Sequence, residues 1–202
     1  MAVFALMVTA ASARAETVIL AFGDSLTQGY GLSPDQGFVG QLQTWLSDAG
    51  GDVRLINGGV SGDTTAGGAA RIAWSLTDEV NAVIVELGGN DMLRGLPPQE
   101  ASENLRAILD QISARGLPVL LVGLPAPANF GAQYQHDFAA IYPALAEEYG
   151  VMLYPDFLQA LHIEENRETV MRNLMQGDGI HQNAEGVARI VAAIGPEVQA
   201  LV

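Results

Sequence analysis

Five short and nearly continuous apolar runs, separated by segments of helical character, constrain this chain more than any other feature. They lie at 17–22, 53–57, 82–87, 118–123 and 151–154. A strand that reads apolar on successive residues is covered on both faces, which is the situation of a parallel strand between two helical layers. Helical patterns fill the intervals at about 37–49, 64–77, 99–115, 134–149 and 183–200. Asn183 offers an N-cap to the last of these, with Ala184 and Glu185 in its first turn. Gly50, Gly51, Gly116 and Gly150 stand where helices should stop. The alternation predicts an α/β protein, a three-layer α/β/α sandwich on a five-stranded parallel sheet. With 202 residues, 49% of them apolar, and no repeat or low-complexity linker, residues 16–202 are expected to form a single domain.

The first 15 residues differ in character. Met1 to Ala11 is an uncharged apolar run, too short to span a bilayer, and Ala13 and Ala15 form a small-x-small cleavage pattern. The expectation is a signal peptide cut after Ala15 and a periplasmic or secreted protein. The competing reading, a buried N-terminal strand or helix, is not required by a fold that can start at Thr17. Cleavage removes Arg14 and moves the formal net charge from −14 to −15.

Composition removes several chemistries. There is no Cys, hence no thiolate nucleophile, disulfide or Cys-ligated metal site. All nine cationic residues are Arg. Without Lys there is no Schiff base and no Walker-type phosphate loop. A net charge of −14 opposes nucleic acid and anionic membrane surfaces as partners. The nucleophiles that remain are hydroxyl, carboxylate and imidazole.

In a parallel α/β sheet, ligands bind beyond the carboxyl ends of the strands. Four segments at such positions stand out. Gly23-Asp24-Ser25-Leu26 follows the first strand and can present a serine hydroxyl at the sheet edge, although the same residues make an ordinary polar turn. Ser61-Gly62-Asp63-Thr64 follows the second and combines free backbone N–H groups with a helix start; taken alone, the segment reads better as a capped helix start with a glycine-rich turn. Gly88-Gly89-Asn90-Asp91 follows the third, where a side-chain amide can donate to an oxyanion or close an Asx-turn. Asp178 and His181 precede the last helix at a spacing that lets the carboxylate orient the imidazole. His136 and His162 sit among ordinary surface residues and are expected to be bland. No His-x-His or Glu-x-x-His cluster suggests a metal site, and no cofactor is expected.

Together, from about Val18 to Val191, these blocks resemble the GDSL-type esterases, also called SGNH hydrolases. Val85 to Asp91, Leu93 to Pro97, Leu124 to Gly131 and Ala140 to Pro143 are similar to the bacterial thioesterase I / lysophospholipase L1 / arylesterase subgroup. The resemblance implies the flavodoxin-like SGNH hydrolase fold. It implies Ser25 as acyl nucleophile, His181 as general base and Asp178 as orienting carboxylate, with an oxyanion hole from Ser25, Gly62 and Asn90. Gly58 and Gly59 compete with Gly62 for that role. No Gly-x-Ser-x-Gly elbow is present, so the same chemistry is expected on a different turn, and with Asp178 and His181 on one loop the C-terminal segment must dock over the first strand.

The substrate is expected to be a small-molecule acyl ester or thioester: aryl esters, acyl-CoA-like thioesters or lysophospholipids. Met92, Leu93 and Leu96, with Pro125, Asn129, Phe130 and Tyr134 after the fourth strand, read as an acyl-chain wall or equally as loop packing. Competing readings are an O-acetyl esterase acting on polysaccharide and a non-catalytic lipid- or glycan-binding module. The chain is expected to work as a monomer without stable membrane insertion.

Overall fold

The computed structural model describes residues 16–126, 128–162 and 166–202; the leader expected at 1–15 lies outside them. Five parallel strands, β1 (Thr17–Gly23), β2 (Val53–Gly59), β3 (Ala82–Glu86), β4 (Val119–Val122) and β5 (Met152–Tyr154), form one sheet in the order β2-β1-β3-β4-β5. Every residue of β3 and β4 is buried, as is all of β1 after Thr17. That is why these runs read apolar without alternation. The edge strand β2 is only half-buried and carries Arg54 and Asn57.

The helices are α1 (Ser25–Gln28), α2 (Phe38–Asp48), α3 (Thr65–Ser75), α4 (Gly89–Leu93), α5 (Pro98–Ser113), α6 (Ala132–Ala139), α7 (Ile141–Tyr149), α8 (Gln159–His162), α9 (Arg167–Asn173) and α10 (Ala184–Ala200). α2 packs with α10, whereas α3 packs with α5 and α5 with α7, giving two helical layers over the buried central strands. Ile19, Phe22, Ile84 and Leu121 lie in the core between them. The helix expected over 134–149 is two helices broken at Ala140. Pro143, in the first turn of α7, has no N–H to offer the Ala139 carbonyl, so the ladder cannot run through. The final helix starts as expected, with Asn183 accepting the Gly186 N–H at 3.0 Å. Among the described residues no helix is long and apolar enough to cross a membrane.

The chain leaves β1 for β2 on one side and returns to β3 on the other. The sheet therefore has its topological switch point between β1 and β3, where a crevice opens beyond the carboxyl ends.

Candidate active site

Three strand-end turns and one loop meet at this crevice. After β1, Asp24 caps α1, its Oδ1 accepting the Leu26 N–H at 2.9 Å. Ser25 is the first residue of α1, so its N–H has no intrahelical acceptor and its hydroxyl stands at the crevice. After β2 the chain passes close to α1: a Cβ on Gly59 would come within 2.3 Å of the Gln28 nitrogen. It then turns through Gly62 at φ 80°, a conformation that suits glycine. The Gly62 N–H has no acceptor among the described residues. After β3, Asn90 donates from Nδ2 to Asp24 Oδ2 at 3.1 Å, and its second amide hydrogen has no acceptor among the described residues. Asp91 is buried and binds Thr65 twice, at its N–H (2.9 Å) and its hydroxyl (2.6 Å).

The C-terminal loop completes the cluster. His181 Nε2 lies 2.8 Å from Ser25 Oγ, and His181 Nδ1 lies 2.6 Å from Asp178 Oδ2. Asp178 Oδ1 accepts the backbone N–H groups of Ile180 and His181 at 2.9 and 3.0 Å, so the carboxylate is fixed before it meets the ring. The Tyr30 ring lies 4.6 Å from the imidazole, centroid to centroid. Gln176 ties the loop to the molecule by donating to the carbonyls of Tyr30 and Gln182, both at 2.8 Å.

The carboxylates are tuned in opposite directions. The hydrogen bond to His181, with those from Ile180 and His181 N–H groups, lowers Asp178 to about 2. Burial raises Asp24 to about 6, although hydrogen bonds from Leu26 and Asn90 favour its ionised form. Glu86, wholly buried behind it and accepting from Thr27 Oγ1 at 2.8 Å, is held well above the usual carboxylate range by burial and by the charge of Asp24.

A cleft of about 640 Å³ contains Ser25, Gly62, Asn90 and His181 together. Met92, Leu93 and Pro125 line it. Leu96, Asn129, Phe130 and Tyr134 are not in its lining: Tyr134 donates to the Leu96 carbonyl at 3.0 Å and its ring packs between Phe130 and Phe138. His162, read from the sequence as a bland surface residue, does line the cleft, as does Arg167. His136 is 80% exposed, away from it. A separate groove of about 350 Å³ at the amino end of β4 holds no histidine or carboxylate in its lining. Among the described residues, no group of three or more His, Asp or Glu is disposed to hold a metal ion.

Several contributors were not singled out in the sequence. Asp24 stands in the Gly-Asp-Ser block, and its position before a short helix was the available signal for a cap. Arg71 and Arg94 gave none, since their partners lie on other turns.

A hydroxyl bonded to an imidazole, the imidazole bonded to a carboxylate, and free N–H donors beside them can perform acyl transfer. Comparison with known proteins agrees with that class. Residues 21–189 match the GDSL-like lipase/acylhydrolase family, and the chain belongs to it. It is an esterase-type hydrolase with the SGNH-hydrolase fold. The chain is 37% identical over 198 residues to Esterase TesA of Pseudomonas aeruginosa, covering 98% of this chain and 94% of that protein. It is 36% identical over 201 residues to thioesterase 1/protease 1/lysophospholipase L1 of Escherichia coli K12, covering 98% and 91%. The crystal structure of AlinE4, an SGNH-hydrolase family esterase, superposes with a TM-score of 0.74 at 46% identity, covering 93% of this chain and 97% of that one.

Proposed function

We propose that this protein hydrolyses carboxylic esters and thioesters by a two-step acyl transfer centred on Ser25. Ser25 Oγ attacks the acyl carbonyl carbon while His181 Nε2 takes its proton, and Asp178 Oδ2 holds the Nδ1–H of the resulting imidazolium. The negative charge on the carbonyl oxygen is met by the N–H groups of Ser25 and Gly62 and by the Asn90 amide. Collapse breaks the bond to the leaving alcohol or thiol, which receives the proton from His181. Water then repeats the sequence on the acyl-serine, releases the acid and restores the hydroxyl.

The observation that carries this reading is the unbroken hydrogen-bonded chain from Ser25 Oγ through His181 to Asp178, with links of 2.8 and 2.6 Å, inside a cleft. The cleft favours acyl chains over acetyl. Its lining includes Leu26, Met92, Leu93, Leu124 and Pro125, and its volume of about 640 Å³ far exceeds an acetyl group. The substrate classes in view are aryl esters, acyl-CoA-like thioesters and lysophospholipids.

The test is a chain-length series of p-nitrophenyl esters run beside acyl-CoA thioesters and a lysophospholipid. The reading expects kcat/KM to rise from acetyl to medium or long chains and expects turnover of at least one thioester. Activity confined to acetyl esters would overturn it in favour of a polysaccharide O-acetyl esterase. Binding of lipid or glycan without turnover would point to a non-catalytic module.

A further inference from the structure

The three oxyanion donors assigned above sit on three different turns, after β1, β2 and β3. Three N–H groups stabilise one oxygen only if those turns keep their relative positions to a fraction of an ångström. Two arginines bind the turns to one another.

Arg71, on α3, uses all three of its guanidinium nitrogens. Nε donates to Asp63 Oδ2 at 2.6 Å, Nη1 to the Gly58 carbonyl at 2.8 Å and Nη2 to the Gly23 carbonyl at 2.8 Å. Its guanidinium carbon lies 3.9 Å from the centroid of the Phe22 ring, which supports the plane from below. One side chain thus spans the ends of β1 and β2 and the turn that follows β2. Gly23 is two residues before Ser25, and Asp63 is next to Gly62.

Arg94 closes the other side. It follows α4, its N–H bonded to the Asn90 carbonyl at 3.2 Å, and its Nη2 donates to the Gly62 carbonyl at 2.8 Å. It therefore joins the Gly62 turn to the helix that carries Asn90. The turn is also closed on itself and on β1, since Asp63 N–H donates to Val60 at 3.1 Å and Val60 N–H to Gly23 at 3.0 Å. Gly62 N–H is left unbonded among the described residues, within a turn tethered through the Val60 N–H, the Gly62 carbonyl and the Asp63 N–H.

We propose that Arg71 and Arg94 are positioning residues that lock the Gly62 N–H in register with the Ser25 N–H and the Asn90 amide, so that the oxyanion hole stands assembled before substrate arrives. The inference rests on the reading of Ser25, Gly62 and Asn90 as oxyanion donors. Arginine suits the work because its planar fork makes several bonds in fixed directions, whereas lysine offers one compact charge.

The experiment compares wild type with Arg94→Ala, Arg94→Lys and Arg71→Lys. It reads kcat and KM on one p-nitrophenyl ester, and inhibition by an alkyl boronic acid, whose tetrahedral serine adduct uses the oxyanion hole. Arg94 is exposed, so its variants keep the fold even if Arg71→Lys does not. Arg94→Ala is expected to lower kcat roughly ten- to a hundred-fold, the scale of a small misplacement of reacting groups, with KM within about two-fold. The boronate inhibition constant should rise by the same factor as kcat falls. Arg94→Lys should recover part of the loss, because one ammonium can still reach one carbonyl. Arg71→Lys should not escape it, because one ammonium cannot hold Asp63, Gly58 and Gly23 together. Arg106→Ala, which breaks only an exposed pair with Glu148 (2.8 Å) elsewhere, serves as control and should match wild type.

Unchanged kcat and boronate inhibition in Arg94→Ala would overturn the positioning role, as would a rise in KM alone. A wild-type protein that neither turns over esters nor binds the boronate would overturn the esterase mechanism itself, which keeps the two failures distinct.

Discussion

The carboxylate of Asp24 accepts the Leu26 N–H through one oxygen and the Asn90 amide through the other while only 1% exposed. That placement carries a pH signature. Burial raises Asp24 to about 6 in the folded chain, against about 3.9 for an exposed aspartate. Between those values the folded state holds a proton that the unfolded state has lost, so stability is greatest below the window and falls as pH rises through it. Asp178 has the opposite sign: lowered to about 2, it favours the fold above the usual aspartate range and loses that effect as pH falls toward 2. The Asp24→Asn variant is neutral throughout, so its melting temperature should fall less than that of wild type between pH 4 and pH 6. Thermal melts across that range check this, and an identical slope in the variant would remove Asp24 as the source. Asp24 was readable only as part of a motif, because its burial depends on Glu86 and Asn90, which reach it from β3 and α4.

At the level of elements, the strands were legible because a parallel strand covered on both faces leaves an unbroken apolar run, as 82–87 and 118–123 do. Their carboxyl ends then marked where Ser25, Gly62 and Asn90 had to be sought. The short α1 and α4 were not legible, since four and five residues carry no helical period; α1 is capped by Asp24, and α4 has no side-chain cap. The break between α6 and α7 needed Pro143 to be weighed against an otherwise continuous pattern. Least legible were contacts between distant turns, such as Arg71 to Gly23, for which no spacing rule exists. The docking of the C-terminal loop is of this kind. Gln176 reaches the Tyr30 carbonyl across 146 residues and keeps His181 over Ser25. Gln176→Ala loses that bond and the one to Gln182, at a cost of about 1–2 kcal/mol for two ordinary hydrogen bonds. The melting point should fall by only a few degrees, while kcat falls by roughly ten-fold or more as the imidazole leaves its line. A kcat that tracks stability alone, with no further loss in the folded enzyme, would contradict the docking role.

For the whole molecule, the sheet order puts a crevice between β1 and β3, and the loop before α10 closes over it from the far end of the chain. The proposed catalytic pair is therefore a property of the completed fold, because Ser25 and His181, 156 residues apart, meet only when the C-terminal loop is in place. The net charge of −14 favours solubility through mutual repulsion between copies of the chain. The composition with no Cys and no Lys only narrows the field to hydroxyl, carboxylate and imidazole; the 2.8 Å contact between His181 Nε2 and Ser25 Oγ is what favours the hydroxyl as nucleophile. The most direct test of the account is the intact mass of the protein after reaction with a fluorophosphonate, with the labelled peptide then sequenced and Ser25→Ala treated in parallel. The account predicts a single adduct on Ser25 that appears as hydrolysis is lost, and none on Ser25→Ala. A protein that hydrolyses esters without acquiring the adduct, or a Ser25→Ala protein that keeps wild-type turnover, would contradict it.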